Sequence, residues 1–250
     1  MATSFPAQRP LQQYWRASRE PRYSLLFAFP LLLLYEGLAA LLPVRETHGV
    51  RNGADVMLKS AFIAIAGPRG PLLFEVLLIG GCGVLVWRDL RGRGGRLRPG
   101  WFAAMAGESL ALSVVFGVVV GIVTARLLGA MTGLAIAPMA RLDAWTRLMV
   151  SLGAGLYEEL LFRVILVSAL AFVARRLLGW RPAPAGTFAA VMGALLFSAA
   201  HYIGPYGDTL ALGSFLFRFV GGLFFSAIYL LRGFGIVAWT HALYDVLLLV

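Results

Sequence analysis

The chain has 250 residues, 60% of them hydrophobic and 14% charged, with a mean hydropathy of +0.80, whereas a soluble domain is nearer half apolar and a quarter charged. A transmembrane helix takes about 20 apolar residues, so the composition describes an all-α, polytopic membrane protein and excludes a soluble enzyme on a membrane anchor. The net charge of +10 would suggest nucleic acid in a soluble chain; here the arginines fall in the gaps between apolar runs, and no nucleic-acid partner is expected.

Apolar runs bounded by charge or by Gly and Pro predict seven spans, near 23–43, 70–87, 101–125, 146–174, 186–204, 210–231 and 233–250. The first follows a 22-residue polar tail and contains Pro30 and Glu36, unlike a signal peptide with its short basic start and small-residue cleavage site. The stretch 54–66 carries Asp55 and Lys59 and is too short to span, which reads as an interfacial or re-entrant helix. Cys82 is the single cysteine and there are three histidines, so an internal disulfide and a cysteine-based metal cluster are both excluded. The segment RDLRGRGGRLR at 88–98 resembles an RNA-binding tract but is flanked by spans, and reads as a cytoplasmic loop. In the third span Gly117 and Gly121 form a GxxxG, which permits close helix contact.

Counting Arg and Lys in alternate loops sets the orientation. The tail, the 88–98 loop, the 175–181 loop and Arg232 hold 13, against 7 on the opposite side, which predicts the N-terminus inside and the C-terminus outside. The preference for Arg over Lys, with high Ala and Gly, suggests a GC-rich prokaryote, so the expected location is a bacterial cytoplasmic membrane. The lipid bilayer is then the one partner that composition names.

The second half of the chain concentrates ionisable groups within apolar spans, where they are costly and mark function. In Tyr157-Glu158-Glu159-Leu160-Leu161-Phe162-Arg163, Glu159 and Arg163 are i, i+4 and share a helix face, while Glu158 is rotated by about 100°. Arg163 can therefore neutralise Glu159 and leave Glu158 facing a water-filled cavity. Phe197 with His201, and His241 with Asp245, repeat the i, i+4 spacing. These groups supply what hydrolysis needs: a carboxylate to deprotonate water, imidazoles to hold it or to donate to an oxyanion, and a group that orients an imidazole. Ser198 lies on another face of its helix from His201, so activated water is favoured over a covalent nucleophile. Two histidines with Glu158 and Asp245 could instead ligate zinc. The sequence lacks the HExxH spacing of the helical zinc proteases, and no cofactor is the favoured reading.

EELLFR at 158–163, FSAAH at 197–201 and HALYD at 241–245 resemble, in order, the EExxxR, FxxxH and HxxxN/D motifs of the CAAX protease and bacteriocin-processing (CPBP, Abi) family of intramembrane endopeptidases, which includes the type II CAAX prenyl endopeptidase. The resemblance covers roughly residues 145–250 and implies a catalytic helical domain there, following a tail at 1–22 and N-terminal spans and loops at 23–144. It implies Glu158 as base, Glu159 and Arg163 as a supporting pair, His201 as partner in water activation, and His241 with Asp245 as oxyanion or positioning group, with a peptide or membrane protein as substrate. The prenyl endopeptidases place Asn where this chain has Asp245. An ionised Asp cannot donate a hydrogen bond, so its expected role is to orient His241.

Other readings of the same residues are a proton-coupled transporter with a carboxylate relay and a catalytically silent immunity or scaffold protein. Transporters usually carry inverted repeats in both halves, and none is found here. Glu36, Glu75 and Glu108 match no motif and read as solvated at helix ends. Arg218 is expected to snorkel or to pair with an acid, and the run Phe215, Phe217, Phe219, Phe224 and Phe225 to be packing or lipid contact.

Overall fold

The structure, a computed structural model, describes residues 10–43, 49–93, 96–129, 142–204 and 207–248, and among them there is no strand. A short α1 (Pro10–Ala17) leads into α2 (Pro21–Leu41), then α3 (Gly53–Ala66), α4 (Gly70–Arg93) and α5 (Pro99–Leu128). The next helix, α6, runs on from Ala144–Gly153 through wide-turned segments at Ala154–Glu158 and Leu160–Val167 into Ser168–Arg176. It is followed by α7 (Pro182–Ala200), α8 (Leu212–Arg232) and α9 (Phe234–Leu247).

The helix starts are written locally. Proline stands in the first turn of α2, α5 and α7, where its missing N–H costs nothing. Asn52 and Asp143 cap α3 and α6 by accepting from the second and third backbone N–H groups.

Among the described residues, α2, the α3–α4 unit, α5, α7 and α8 supply segments long and apolar enough to cross a membrane, and α9 is a shorter apolar helix. With α6 these make about seven crossings. Whole faces of α4 and α5 expose Leu, Val and Ile, for example Leu72, Val76, Val114 and Ile122. In water such a surface would aggregate; in a bilayer it is the lipid-facing wall, and the protein is a multi-pass membrane protein.

The stretch expected to fall short of a span does so. With 14 residues, α3 is about 21 Å long against a hydrocarbon core of about 30 Å. It turns back on α4 through Gly67, whose φ of 59° favours glycine, and Gly70, where a Cβ would collide with the backbone of Phe62 and Ile63. Phe62 and Phe74 meet edge to face across the hairpin, centroids 5.3 Å apart. In the GxxxG of α5, Gly117 faces the Tyr244 ring while Gly121 meets nothing, so the pair is not a helix-contact motif here.

Helix α9 is the axis of the bundle, with Ile236, Val237, Ala238, Thr240, His241 and Ala242 buried. One core joins it to α2, α3 and α6 around Leu31, Tyr35, Met149, Tyr157 and Ala238. A second joins it to α2, α5 and α8 around Tyr23, Phe116, Phe225 and Ile236. Between α2, α4 and α6 an apolar crevice of about 1200 Å³ remains, walled by Leu25, Phe29, Leu78, Leu156, Leu160 and Val164, with Arg19, Arg175 and Arg176 among its lining.

Candidate active site

The three motifs converge from α6, α7 and α9. Gly155 makes this possible on α6: a Cβ there would strike the Ala238 carbonyl and Ala242, so only glycine lets α6 and α9 approach this closely. The next residues of α6 lie in wide turns with i to i+5 character, a local departure that recurs at functional sites. Consecutive side chains of α6 then reach three different partners.

Tyr157 points into the N-terminal half, its hydroxyl donating to Glu36 at 2.6 Å and Glu75 at 3.2 Å. Glu158 accepts from Asn52 Nδ2 at 2.8 Å and lies within electrostatic reach of His201, His241 and Arg163. Glu159, fully buried, contacts His241 Nδ1 at 2.7 Å and Arg163 at 3.1 Å. The guanidinium of Arg163 sits over Phe197, 4.3 Å from its centroid, and over Phe225 at 5.5 Å. Its two terminal NH₂ groups have no hydrogen-bond acceptor among the described residues, nor has Glu159 Oε2 a donor, so the pair is held by charge and by the two rings.

His201 caps α7. Its Nδ1 lies 2.9 Å from the Phe197 carbonyl, and because a carbonyl only accepts, Nδ1 carries the proton and Nε2 presents its lone pair. His241 is stacked on Phe225 with centroids 4.3 Å apart, and a carboxylate faces each of its nitrogens, Glu159 at 2.7 Å and Asp245 at 3.7 Å. The orienting contact expected from Asp245 is therefore made by Glu159; Asp245, one turn farther along α9, stands beyond hydrogen-bond distance. Phe197 forms an edge-to-face contact with the His201 ring, centroids 4.9 Å apart, and separates that ring from Arg163.

Residues from the first half complete the cluster. Asn52 is buried and held on every side: its Oδ1 accepts from Ala54 N at 2.9 Å and Asp55 N at 3.4 Å, and its own N–H donates to Tyr35 Oη at 3.2 Å. Since backbone N–H groups only donate, the amide NH₂ is left facing Glu158. Beside it Lys59 Nζ lies 2.9 Å from Glu36, 2.8 Å from Asp55 and 2.9 Å from Glu75. Glu36 and Glu75 are thus not solvated helix-end acids but members of a network that holds Tyr157, and Glu108 likewise is bound by Arg232 and Tyr14. Arg218 pairs with Asp208. Phe225, read as packing or lipid contact, forms the floor under His241.

The donor set for a metal can be tested on these contacts. Among the described residues, the three His, Cys, Asp or Glu side chains close enough to share an ion are Glu36, Asp55 and Glu75, and the Lys59 ammonium lies among them. No three of the donor atoms of Glu158, His201, His241 and Asp245 come as close to one another among the described residues, so these four do not form a ligand set as they stand.

Residues 140–247 match the family model for type II CAAX prenyl endopeptidase Rce1-like. This segment is similar to the CAAX protease family. It holds all three motifs and spans less than half of the chain, in agreement with the resemblance carried by those motifs. No curated protein and no solved structure matches the chain. Similarity to the Rce1-like model supports an intramembrane peptidase in general, and the N-terminal helices that contribute Asn52 and Lys59 lie outside the matched residues.

Proposed function

We propose that the protein is an intramembrane endopeptidase whose nucleophile is water activated by Glu158 with His201. The observation that carries this reading is the different company of two adjacent carboxylates. Glu159 is engaged by Arg163 and His241, whereas Glu158, beside both imidazoles, has one neutral amide as its hydrogen-bond partner. A carboxylate in that setting keeps an oxygen for a water molecule.

In the reaction, Glu158 takes a proton from water as the hydroxide oxygen bonds to the scissile carbonyl carbon, with His201 Nε2 accepting the second water hydrogen bond. The negative charge that develops on the carbonyl oxygen is stabilised by His241, which Glu159 holds in place. The C–N bond then breaks, the departing nitrogen takes the proton from Glu158, and a new carboxyl group and amine result. Asp245 and Arg163 act through His241 and Glu159, and Phe197 through the two rings it separates.

A zinc-dependent form of the same peptidase would require Glu158, His201, His241 and Asp245 to draw closer together than they stand. That spacing supports the metal-independent reading. The test is cleavage of a panel of tagged membrane-inserted peptides by protein reconstituted in bilayers. Glu158→Gln and His201→Gln are each expected to lower the rate by about 10²- to 10⁴-fold while the protein still folds. Wild-type rates in Glu158→Gln would overturn the assignment.

A further inference from the structure

Charge is divided unevenly between the two ends of the bundle. One end gathers α1, the connection from α4 to α5, the turn from α6 to α7 and the turn from α8 to α9. There Arg93 pairs with Glu20 at 2.9 Å, Arg232 donates to the Trp15 carbonyl at 3.1 Å, and Arg19 lines the crevice with Arg175 and Arg176. Among the described residues twelve arginines belong to this end, against three carboxylates, Glu20, Asp89 and Glu108. All three carboxylates are taken up in ion pairs, while Arg88, Arg175, Arg176 and Arg181 make no ion pair among the described residues.

Among the described residues the opposite end holds seven cations and eight carboxylates, the motif acids Glu158, Glu159 and Asp245 included. Four of those cations, Arg51, Lys59, Arg163 and Arg218, are bound to acids. This is the end at which the motif residues meet. The 19 residues of α7 carry the chain about 28 Å from Arg181 to His201, close to the roughly 30 Å thickness of a hydrocarbon core. Beyond His201 the surface opens, with Ile203 75% exposed and the Asp208–Arg218 pair at the rim. Glu158 and Asp245 are themselves part-exposed.

A short loop rich in unpaired arginine stays on the cytoplasmic side. The geometry points to a site that opens on the non-cytoplasmic face, and, on the peptidase reading, to a substrate that is a polypeptide segment already carried across or into the membrane. A translocation step must then supply the substrate, and the new carboxylate and amine are released on the far side.

The test uses the full chain with Cys82→Ala as background and a membrane-impermeant maleimide on intact cells. Ile203→Cys reports the site end; Leu178→Cys, 56% exposed, reports the arginine end. Labelling of Ile203→Cys in intact cells, with Leu178→Cys labelled only after permeabilisation, is the expected result. The reverse pattern, labelling of both or neither in intact cells, or an Ile203→Cys that stays unlabelled after permeabilisation, overturns the inference. Labelling does not depend on activity, so a protein with the expected sidedness that cleaves no peptide would count against the peptidase reading alone. With sidedness as expected, peptides added outside intact spheroplasts are cut by wild type and not by Glu158→Gln; cutting only after lysis would overturn the substrate assignment.

Discussion

Asn52 joins two tasks in one side chain, and substitution can separate them. Its oxygen caps α3, and a lost cap costs about 1 kcal/mol. Its NH₂ donates to Glu158 at 2.8 Å, and a hydrogen bond to a charged group is worth about 1.5–3 kcal/mol; if that bond aims the carboxylate at water, its loss lowers kcat/KM by about 10- to 150-fold. Asn52→Ser keeps an oxygen over Ala54 N but lacks the Nδ2 amide group that donates to Glu158. Asn52→Ala removes both, and Asn52→Asp keeps the cap while setting a second carboxylate against Glu158. In reconstituted bilayers, with unfolding followed alongside peptide cleavage, Asn52→Ser is expected to lose activity by that factor and to be about 1 kcal/mol more stable than Asn52→Ala, because it keeps the cap. Asn52→Ala should add the capping cost, and Asn52→Asp should be the least active of the three. Wild-type kcat/KM in Asn52→Ser would refute the reasoning, and a Ser variant as unstable as the Ala variant would show that the residue acts through the helix start.

Arg163→Ala leaves Glu159 buried without its partner and is expected to cost about 3–5 kcal/mol and most of the folded yield, whereas Glu158→Gln should lose cleavage at normal yield; comparison of melting and turnover checks both. Lys59→Met exposes three carboxylates to one another, and because Glu36 is 31% exposed the expected loss is toward the lower end of that range, about 3 kcal/mol. In that variant millimolar calcium should raise the melting temperature by filling the position of the ammonium, with little effect on wild type. Exhaustive chelation is expected to leave cleavage by the wild type undiminished, measured together with elemental analysis; stoichiometric zinc whose removal abolishes activity and whose return restores it would reverse the mechanism.

The motif side of the site was legible because ionisable groups are scarce in apolar spans, and Glu158, Glu159, Arg163, His201 and His241 stand out there by chemistry alone. Their pairing was less so. An i, i+4 argument joins His241 to Asp245, but the wide turns of α6 and the close approach at Gly155 bring Glu159 to that ring, and neither is encoded in spacing along α9. Asn52 could be read as a helix cap, standing before Gly53 and an apolar run, yet nothing local says that its amide meets a carboxylate 106 positions away. Glu36, Glu75 and Lys59 look like separate helix-end charges until three helices are packed together. His48 lies outside the described residues.

Leu156, Leu160 and Val164, on the helix that carries Glu158, line the crevice between α2, α4 and α6. In a membrane that space is taken by hydrocarbon chains, so part of the mechanical backing of the site is liquid. Chain length, saturation and lateral pressure bear directly on the motif helix, and a detergent micelle replaces one wall with another of different stiffness. Rates measured after solubilisation therefore belong to the protein and its surrounding amphiphile jointly, and a change of lipid acts on this helix as a substitution in its packing would.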